Sequence, residues 1–286
     1  MISFASALRI KYEVLKSIKN NAINTPTITP TRASRLTRYF RISRIFLHTL
    51  LGIAVAALVF PLSNKLFKLR LIKWWCKYLL GVFNIRLVSK GHLPPPYQTA
   101  GNIMFVANHI SWIDIHALNS VIPTRFIAKS DIQSWPVFGY LAKKSNVLFI
   151  SRERRQDAAR IVHATNQSLL DGDTLCLFPE GTTTDGTEIK PFKSSIIQGA
   201  IHANALIWPI AFRYPRQDGG VNTEIAYAGE TTLIESIQLV LQQKEVVVEL
   251  HFLAPIATSE LTAVDKDRRK LTSHIEHLIR EKLSLN

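Results

Sequence analysis

The sequence predicts an α/β domain with a mostly parallel sheet flanked by helices, preceded by an N-terminal membrane-associated helical hairpin. Three observations predict this. Past Pro94-Pro95-Pro96, short apolar runs alternate with helical patterns, as expected of parallel strands joined by crossover helices. The apolar run Ile45–Phe60 carries no formal charge across sixteen residues. The charge is also split unevenly. Residues 1–90 hold 16 Lys and Arg against a single acid, Glu13, whereas residues 91–286 hold 19 against 20, so an overall charge of +14 belongs to the N-terminal part alone.

Residues 1–31 read as a flexible or amphipathic tail ending in the Thr/Pro-rich stretch TPTITPT. Residues 32–84 read as the basic hairpin. As a helix, Ile45–Phe60 is about 24 Å long, short of a hydrocarbon core of about 30 Å. Arg32, Arg35, Arg38, Arg41 and Arg44 precede it, and Lys65, Lys68, Arg70, Lys73 and Lys77 follow. With both flanks basic, no crossing direction is favoured. The expected form is a hairpin dipping into one leaflet, turning at Pro61-Leu62-Ser63-Asn64, with Ser63 or Asn64 capping the second helix. On that helix Phe67, Leu71, Trp74 and Tyr78 make one aromatic stripe with cations mainly opposite, the pattern of a helix lying among anionic headgroups. A buried core helix with a solvated basic face is the competing structural reading.

The domain at 85–286 is expected to contain strands at Asn102–Ala107, Arg125–Ala128, Val147–Ile150, Thr174–Phe178, Leu206–Phe212 and Val246–Leu253. Helices are expected at Trp112–Ser120, Arg154–Leu170, Ser194–Ala203 and Asp265–Leu283. The near-neutral charge of this part and the lack of a nucleic-acid-binding motif exclude a nucleic-acid partner. Cys76 and Cys176 lie far apart in apolar surroundings and support neither a disulfide framework nor a zinc site.

In folds of this kind, functional groups gather after the carboxyl ends of strands. Two polar clusters sit there. In Asn108–Asp114 a histidine precedes an aspartate by five residues. Asp114 can hold one ring nitrogen of His109 and leave the other free as a general base. There is no G-x-S-x-G elbow and no cysteine beside this loop, so the nucleophile is expected to be a substrate hydroxyl. Ser111 is expected to cap the helix starting at Trp112, with a nucleophilic role as a minor alternative. A metal site built from His109, Asp114 and His116 is another minor reading. In the second cluster, Glu180, Gly181 and Thr182 offer a carboxylate, close backbone approach and a hydroxyl on one loop, although Pro-Glu-Gly is also ordinary turn chemistry.

Taken together, the N-H-x4-D block Asn108–Asp114 and the F-P-E-G-T block Phe178–Thr182 resemble those of the glycerolipid acyltransferase family. Phe126-Ile127-Ala128-Lys129, Trp135-Pro136-Phe138-Gly139, Phe149-Ile150-Ser151-Arg152, Pro191-Phe192-Lys193 and Trp208-Pro209-Ile210-Ala211 follow in the family's order. The resemblance spans roughly residues 87–212. It implies catalysis by His109 oriented by Asp114, with Asn108, Arg152, Glu180, Gly181, Thr182 and Lys193 on the substrate side. It implies O-acylation of a lysolipid such as 1-acyl-sn-glycerol-3-phosphate, with acyl carrier protein or coenzyme A carrying the acyl group as co-substrate and no further cofactor or metal. The implied place is the cytoplasmic face of a bacterial inner membrane, in phospholipid biosynthesis. Two departures stand out: Thr183 replaces the arginine that usually follows F-P-E-G-T in enzymes accepting glycerol phosphate, and the glycine usually found before F-I-x-R is missing. The F-P-E-G-T-T-x-D-G and P-F-K-S-S segments are similar to those of lyso-ornithine lipid acyltransferases and of some lysophosphatidylcholine-type enzymes. A catalytically silent lipid-binding relative is a further alternative.

Overall fold

The computed structural model describes residues 32–97, 99, 101–150, 155–262 and 264–285. The expected tail at 1–31 and Arg152 lie outside the described residues.

Two helices open the described chain: α1 (Arg35–Ala54) and α2 (Lys65–Phe83). Ser34 caps α1 by accepting from Thr37 N, and Asn64 caps α2 by accepting from Phe67 N at 2.9 Å. Between them lie a wide turn of helix at Val55–Val59 and a tight one at Phe60–Leu62. Pro61 has no N–H to continue an α-helix, and its ring crowds the preceding turn. The backbone changes pitch there, with Phe60 N bonding back to Val55 O. Together these turns make one helical run, Arg35–Leu62, which is long and apolar enough by length and composition to cross a membrane.

The domain that follows holds β1 (Ile85–Gly91), β2 (Ile103–Ala107), α3 (Ile113–Val121), β3 (Arg125–Lys129), α4 (Phe138–Lys144), β4 (Leu148–Ile150), α5 (Arg155–Leu170) and β5 (Thr174–Leu177). It continues with α6 (Ile197–His202), β6 (Leu206–Arg213), α7 (Leu233–Gln242), β7 (Val246–Phe252), β8 (Ile256–Ala257) and α8 (Arg268–Leu283). The sheet runs β1-β7-β6-β2-β5-β3-β4, with β8 beside β6. From β6 to β4 all neighbours are parallel. β7 meets β6 antiparallel, and β1 runs parallel to β7, so that edge is reversed.

The centre of the sheet is apolar on both faces. Every residue of β2 is buried, which is why IMFVA reads as a continuous rather than an alternating run. Ile103, Phe105 and Ala107 face one core with Leu79, Phe83, Ile113, Leu118 and Val240, under α2, α3 and α7. Met104 and Val106 face the other with Ile161, Ile197, Ile275 and Ile279, under α5, α6 and α8. α2 thus covers one side of the sheet, and residues from Thr31 onward form one compact unit. Helices α1 and α2 belong to the same compact unit as the sheet, with no linker between them.

The element bounds differ from the sequence expectations in informative ways. α6 is shorter than Ser194–Ala203, and α8 starts at Arg268, because the Asp267 side chain accepts from Arg269 N and Lys270 N and sets the cap. β1, α4, α7 and β8 were not among the expected elements. For α7 a signal existed: Thr232 and Glu235 form a reciprocal capping box.

Candidate active site

The register of the sheet builds the site. β2 and β5 are parallel neighbours, pairing Ile103 with Thr174 and Val106 with Leu177. Carried past both strand ends, that same offset sets His109 opposite Glu180. There the ladder continues through a side chain, with His109 N donating to Glu180 Oε1 at 2.7 Å. The second carboxylate oxygen accepts from Lys190 N at 2.8 Å. Glu180 is 2% exposed. Burial pushes its carboxyl up to about 7 against the pull of those two backbone donors, and the charge of Asp114 adds to the rise.

On the other flank of β2, Asn108 is buried and completes the ladder to β6. Its amide donates to Phe212 O at 3.1 Å and accepts from Phe212 N at 2.8 Å. Asn108 and Glu180 therefore hold the main chain on either side of the histidine. Sequence reasoning put both on the substrate side; in the structure their polar atoms engage backbone.

His109 Nδ1 lies 2.8 Å from Asp114 Oδ2. A carboxylate can only accept, so Nδ1 carries a hydrogen, and in the neutral tautomer that this selects, Nε2 presents its lone pair. Asp114 is fully buried in the first turn of α3. Its Oδ2 also accepts from Ile110 N at 2.8 Å and Ser111 N at 2.9 Å, and its Oδ1 accepts from the Tyr214 hydroxyl at 2.5 Å. Burial, and then the Asp114 charge, push the Tyr214 phenol well above its ordinary range, so it stays a donor. The Phe178 ring stacks on the imidazole at 3.8 Å between centroids and 9° between planes. The imidazole is thus fixed along its edge by the carboxylate and across its face by Phe178, and the His109 side chain retains 17% exposure.

One expectation is corrected. Ser111 Oγ does not cap the helix: it is buried without a hydrogen-bond partner, and α3 has no side-chain cap. Asp114 N, the donor three residues on, binds the Ser111 carbonyl at 3.1 Å and not its hydroxyl. His116 does not join His109 and Asp114. It packs on Trp75 and Trp112 with Cys76 Sγ 3.6 Å from Nδ1, and burial lowers its pKa to about 4. Among the described residues no three His, Cys, Asp or Glu side chains cluster as a metal site requires.

The glutamate loop closes over the histidine from one side. Gly181 adopts φ +73°, a left-handed turn that suits glycine, and its N–H returns to Phe178 O at 3.1 Å. Thr184 N donates to His109 O at 2.9 Å. Thr183 Oγ1 donates to Tyr227 O, and Tyr227 N reaches Ile110 O at 2.9 Å, so the histidine loop is tied to both neighbouring segments. Thr182 and Lys193 are exposed. Lys193 is anchored through its own N–H to Pro179 O at 3.0 Å.

Tyr214 and Phe178 are the residues that sequence reasoning did not assign to the site. Phe178 lay inside a motif already singled out. Tyr214 lies a hundred positions from Asp114, and no local pattern pointed to it.

Comparison with known proteins bears on the family and the fold. Residues 88–213 match the family described as Acyltransferase. The lyso-ornithine lipid O-acyltransferase of Pseudomonas aeruginosa is 29% identical over 86% of this chain and 93% of its own length. That of Brucella abortus is 30% identical over 83% and 92%. The 1-acyl-sn-glycerol-3-phosphate acyltransferase of Neisseria gonorrhoeae is 33% identical over 65% of this chain and 71% of its own. The crystal structure of the 1-acyl-sn-glycerophosphate (LPA) acyltransferase PlsC from Thermotoga maritima shares the fold, with a TM-score of 0.63 at 15% identity over 87% of this chain and 95% of that one.

Proposed function

Because this chain belongs to the glycerolipid acyltransferase family, we propose that it moves a fatty acyl group from a thioester of acyl carrier protein or coenzyme A to the free hydroxyl of a lysolipid. The observation that carries this reading is the His109–Asp114 contact beneath the Phe178 ring. His109 Nε2 removes the hydroxyl proton as the oxygen attacks the thioester carbonyl. The tetrahedral intermediate then expels the thiolate, which takes the proton from the imidazolium and leaves as the free thiol. Asp114 fixes the tautomer and stabilises the imidazolium. In this reading Arg152, Gly181, Thr182 and Lys193 serve acceptor binding, while Glu180 and Asn108 are positioning residues for the histidine loop.

The first acceptor is 1-acyl-sn-glycerol-3-phosphate. Thr183 favours a second reading, in which the acceptor is a lyso-ornithine lipid. A phosphate monoester is best held by a guanidinium, and this position offers a hydroxyl engaged with Tyr227 O. The two relatives matched over more than 90% of their own length carry the lyso-ornithine name, which also supports it.

The enzyme acts at a bilayer, at its cytoplasmic face where thioester donors are made. Exposed Leu36, Phe40, Leu47, Leu51, Leu58 and Leu62 on the hairpin support this. Both ends of the long helix contact the same domain. Ala33 N donates to Gln242 O at 2.7 Å, and Lys65 pairs with Asp173 at 2.8 Å. That favours a hairpin lying in one leaflet over one crossing the membrane.

The test is acyl transfer by purified membranes supplied with either lysolipid and either thioester. Transfer is expected, and His109→Ala should lower it by about 100- to 10,000-fold while membrane association persists. Equal transfer by wild type and His109→Ala sinks the reading.

A further inference from the structure

The arginines before the apolar run recur every third residue, and their fates differ. Arg32 pairs with Glu224 at 3.0 Å and reaches Gln242 Oε1. Arg41 is 6% exposed and caps the end of α7, donating to Gln243 O at 2.7 Å, Lys244 O at 2.9 Å and Leu241 O at 3.4 Å. Arg44 lies over the rings of Phe40 and Tyr78, 5.6 Å from each centroid. Arg35 and Arg38 have no acceptor among the described residues, and Arg38 Nε is buried without one. Both line a cavity of about 310 Å³ between α1 and α7, with Tyr39 and Ile42 from α1 and Gln238 and Gln242 from α7.

A buried guanidinium N–H without an acceptor is costly, and no carboxylate lines this cavity among the described residues. Two guanidiniums lining one cavity with amide side chains, Arg35 exposed and Arg38 half-buried, form a site for a phosphate oxyanion. The surroundings identify the source of that phosphate. From the cavity, Tyr39, Ile42, Phe46 and Leu50 continue along α1 at three- and four-residue spacing, 70, 48, 63 and 48% exposed. A free anion has no use for such a track, whereas an acyl chain would lie along it with its phosphate between the arginines. We propose that the α1–α7 cleft is a binding site for one anionic phospholipid of the bilayer, separate from the acyl-transfer site. It orients the enzyme by a seated headgroup in addition to diffuse charge. The inference rests on the hairpin lying at the membrane surface; it does not depend on which lysolipid is acylated.

The test is co-sedimentation of the full chain with vesicles of equimolar phosphatidylglycerol and phosphatidylcholine, and with phosphatidylcholine alone, at about 0.15 M salt. Arg35→Gln/Arg38→Gln should weaken binding to the anionic vesicles by about tenfold or more and leave phosphatidylcholine binding unchanged. Arg35→Lys/Arg38→Lys keeps the charge but loses the planar fork, and should recover only part of the affinity. Lys68→Gln/Lys77→Gln removes the same charge from α2 and should cost less. If the lysine pair binds like wild type while the Lys68/Lys77 variant loses as much as the glutamine pair, attraction is diffuse and the site does not exist. If millimolar inorganic phosphate displaces the protein from the anionic vesicles, the site takes a free anion and the lipid assignment fails. Acyl transfer in detergent micelles should be unchanged in all three variants, confirming that they fold. A wild type that sediments as expected yet transfers no acyl group would refute the proposed function and leave this site standing.

Discussion

At the residue scale, the catalytic proposal turns on how fully Asp114 is satisfied. A buried carboxylate is tolerated only when paired and hydrogen-bonded. Here two backbone amides, a phenol and the imidazole all serve it. Asp114→Asn would place an amide against His109 Nδ1 and favour the wrong tautomer, so turnover should fall by about 10,000-fold at near-constant KM if the precedent of catalytic triads holds. Tyr214→Phe should cost stability of about 1.5–3 kcal/mol, the value of a hydrogen bond to a charged group. Because Tyr214 acts only through Asp114, the accompanying loss should appear in kcat and in the pH profile, with KM spared. Glu180 offers a separate signature. Its folded pKa of about 7 lies above the ordinary 4.5, so the folded state binds a proton that the unfolded state has released. Its contribution is fully present below pH 4.5 and is lost as pH rises toward 7. Denaturant unfolding should show wild type losing stability across that window relative to Glu180→Gln, with the gap constant above it.

At the scale of elements, the hairpin is held by a few specific contacts. Gly52 on α1 packs against Trp75 on α2, where an added Cβ would sit 2.8 Å from the indole nitrogen. Trp75 in turn stacks on His48 at 4.6 Å. The two adjacent tryptophans thus have different jobs: Trp74 is 51% exposed, and Trp75 joins the helices. Arg41 fastens α1 to the last carbonyls of α7, where a cation also meets the negative end of the helix. Arg41→Ala leaves those carbonyls without their donor. It should destabilise the docking by about 1.5–3 kcal/mol, the value of a hydrogen bond to a charged group, read as faster amide hydrogen exchange along α1 with β2 and β5 unaffected. Sequence periodicity marked the basic run but could not separate an arginine that caps a helix from one that faces an open cleft.

At the scale of the whole molecule, the sheet and helices α1 and α2 belong to one compact unit, so the surface proposed to meet lipid is attached to the site without a linker. That geometry has a topological consequence. If the proposed in-leaflet hairpin holds, single cysteines replacing Ser34 and Lys68 should both react with a membrane-impermeant thiol reagent from the same side of sealed membrane vesicles, because a helix lying in one leaflet returns its ends to one face. Native Cys76 and Cys176 are buried and contribute little background. Labelling from opposite sides would establish a crossing.

The strand and helix alternation, a cap at Ser63 or Asn64 after Pro61, and the His109 and Glu180 loops were legible in the chain; the structure chose Asn64. Each rests on short-range chemistry: apolar periodicity, a missing N–H, a side-chain cap, a polar cluster ending a strand. Tertiary structure alone decided what those groups touch. The β2–β5 register turned Glu180 onto the backbone of His109, and β6 delivered Tyr214 to Asp114. The reversal of β7 likewise arises from its pairing with β6, where Ile210 meets Phe252, and the docking of α1 on α7 from contacts such as Arg41 to Gln243, 202 positions apart. Local propensity carries no information about such partners, because burial selects them only once the layers have packed.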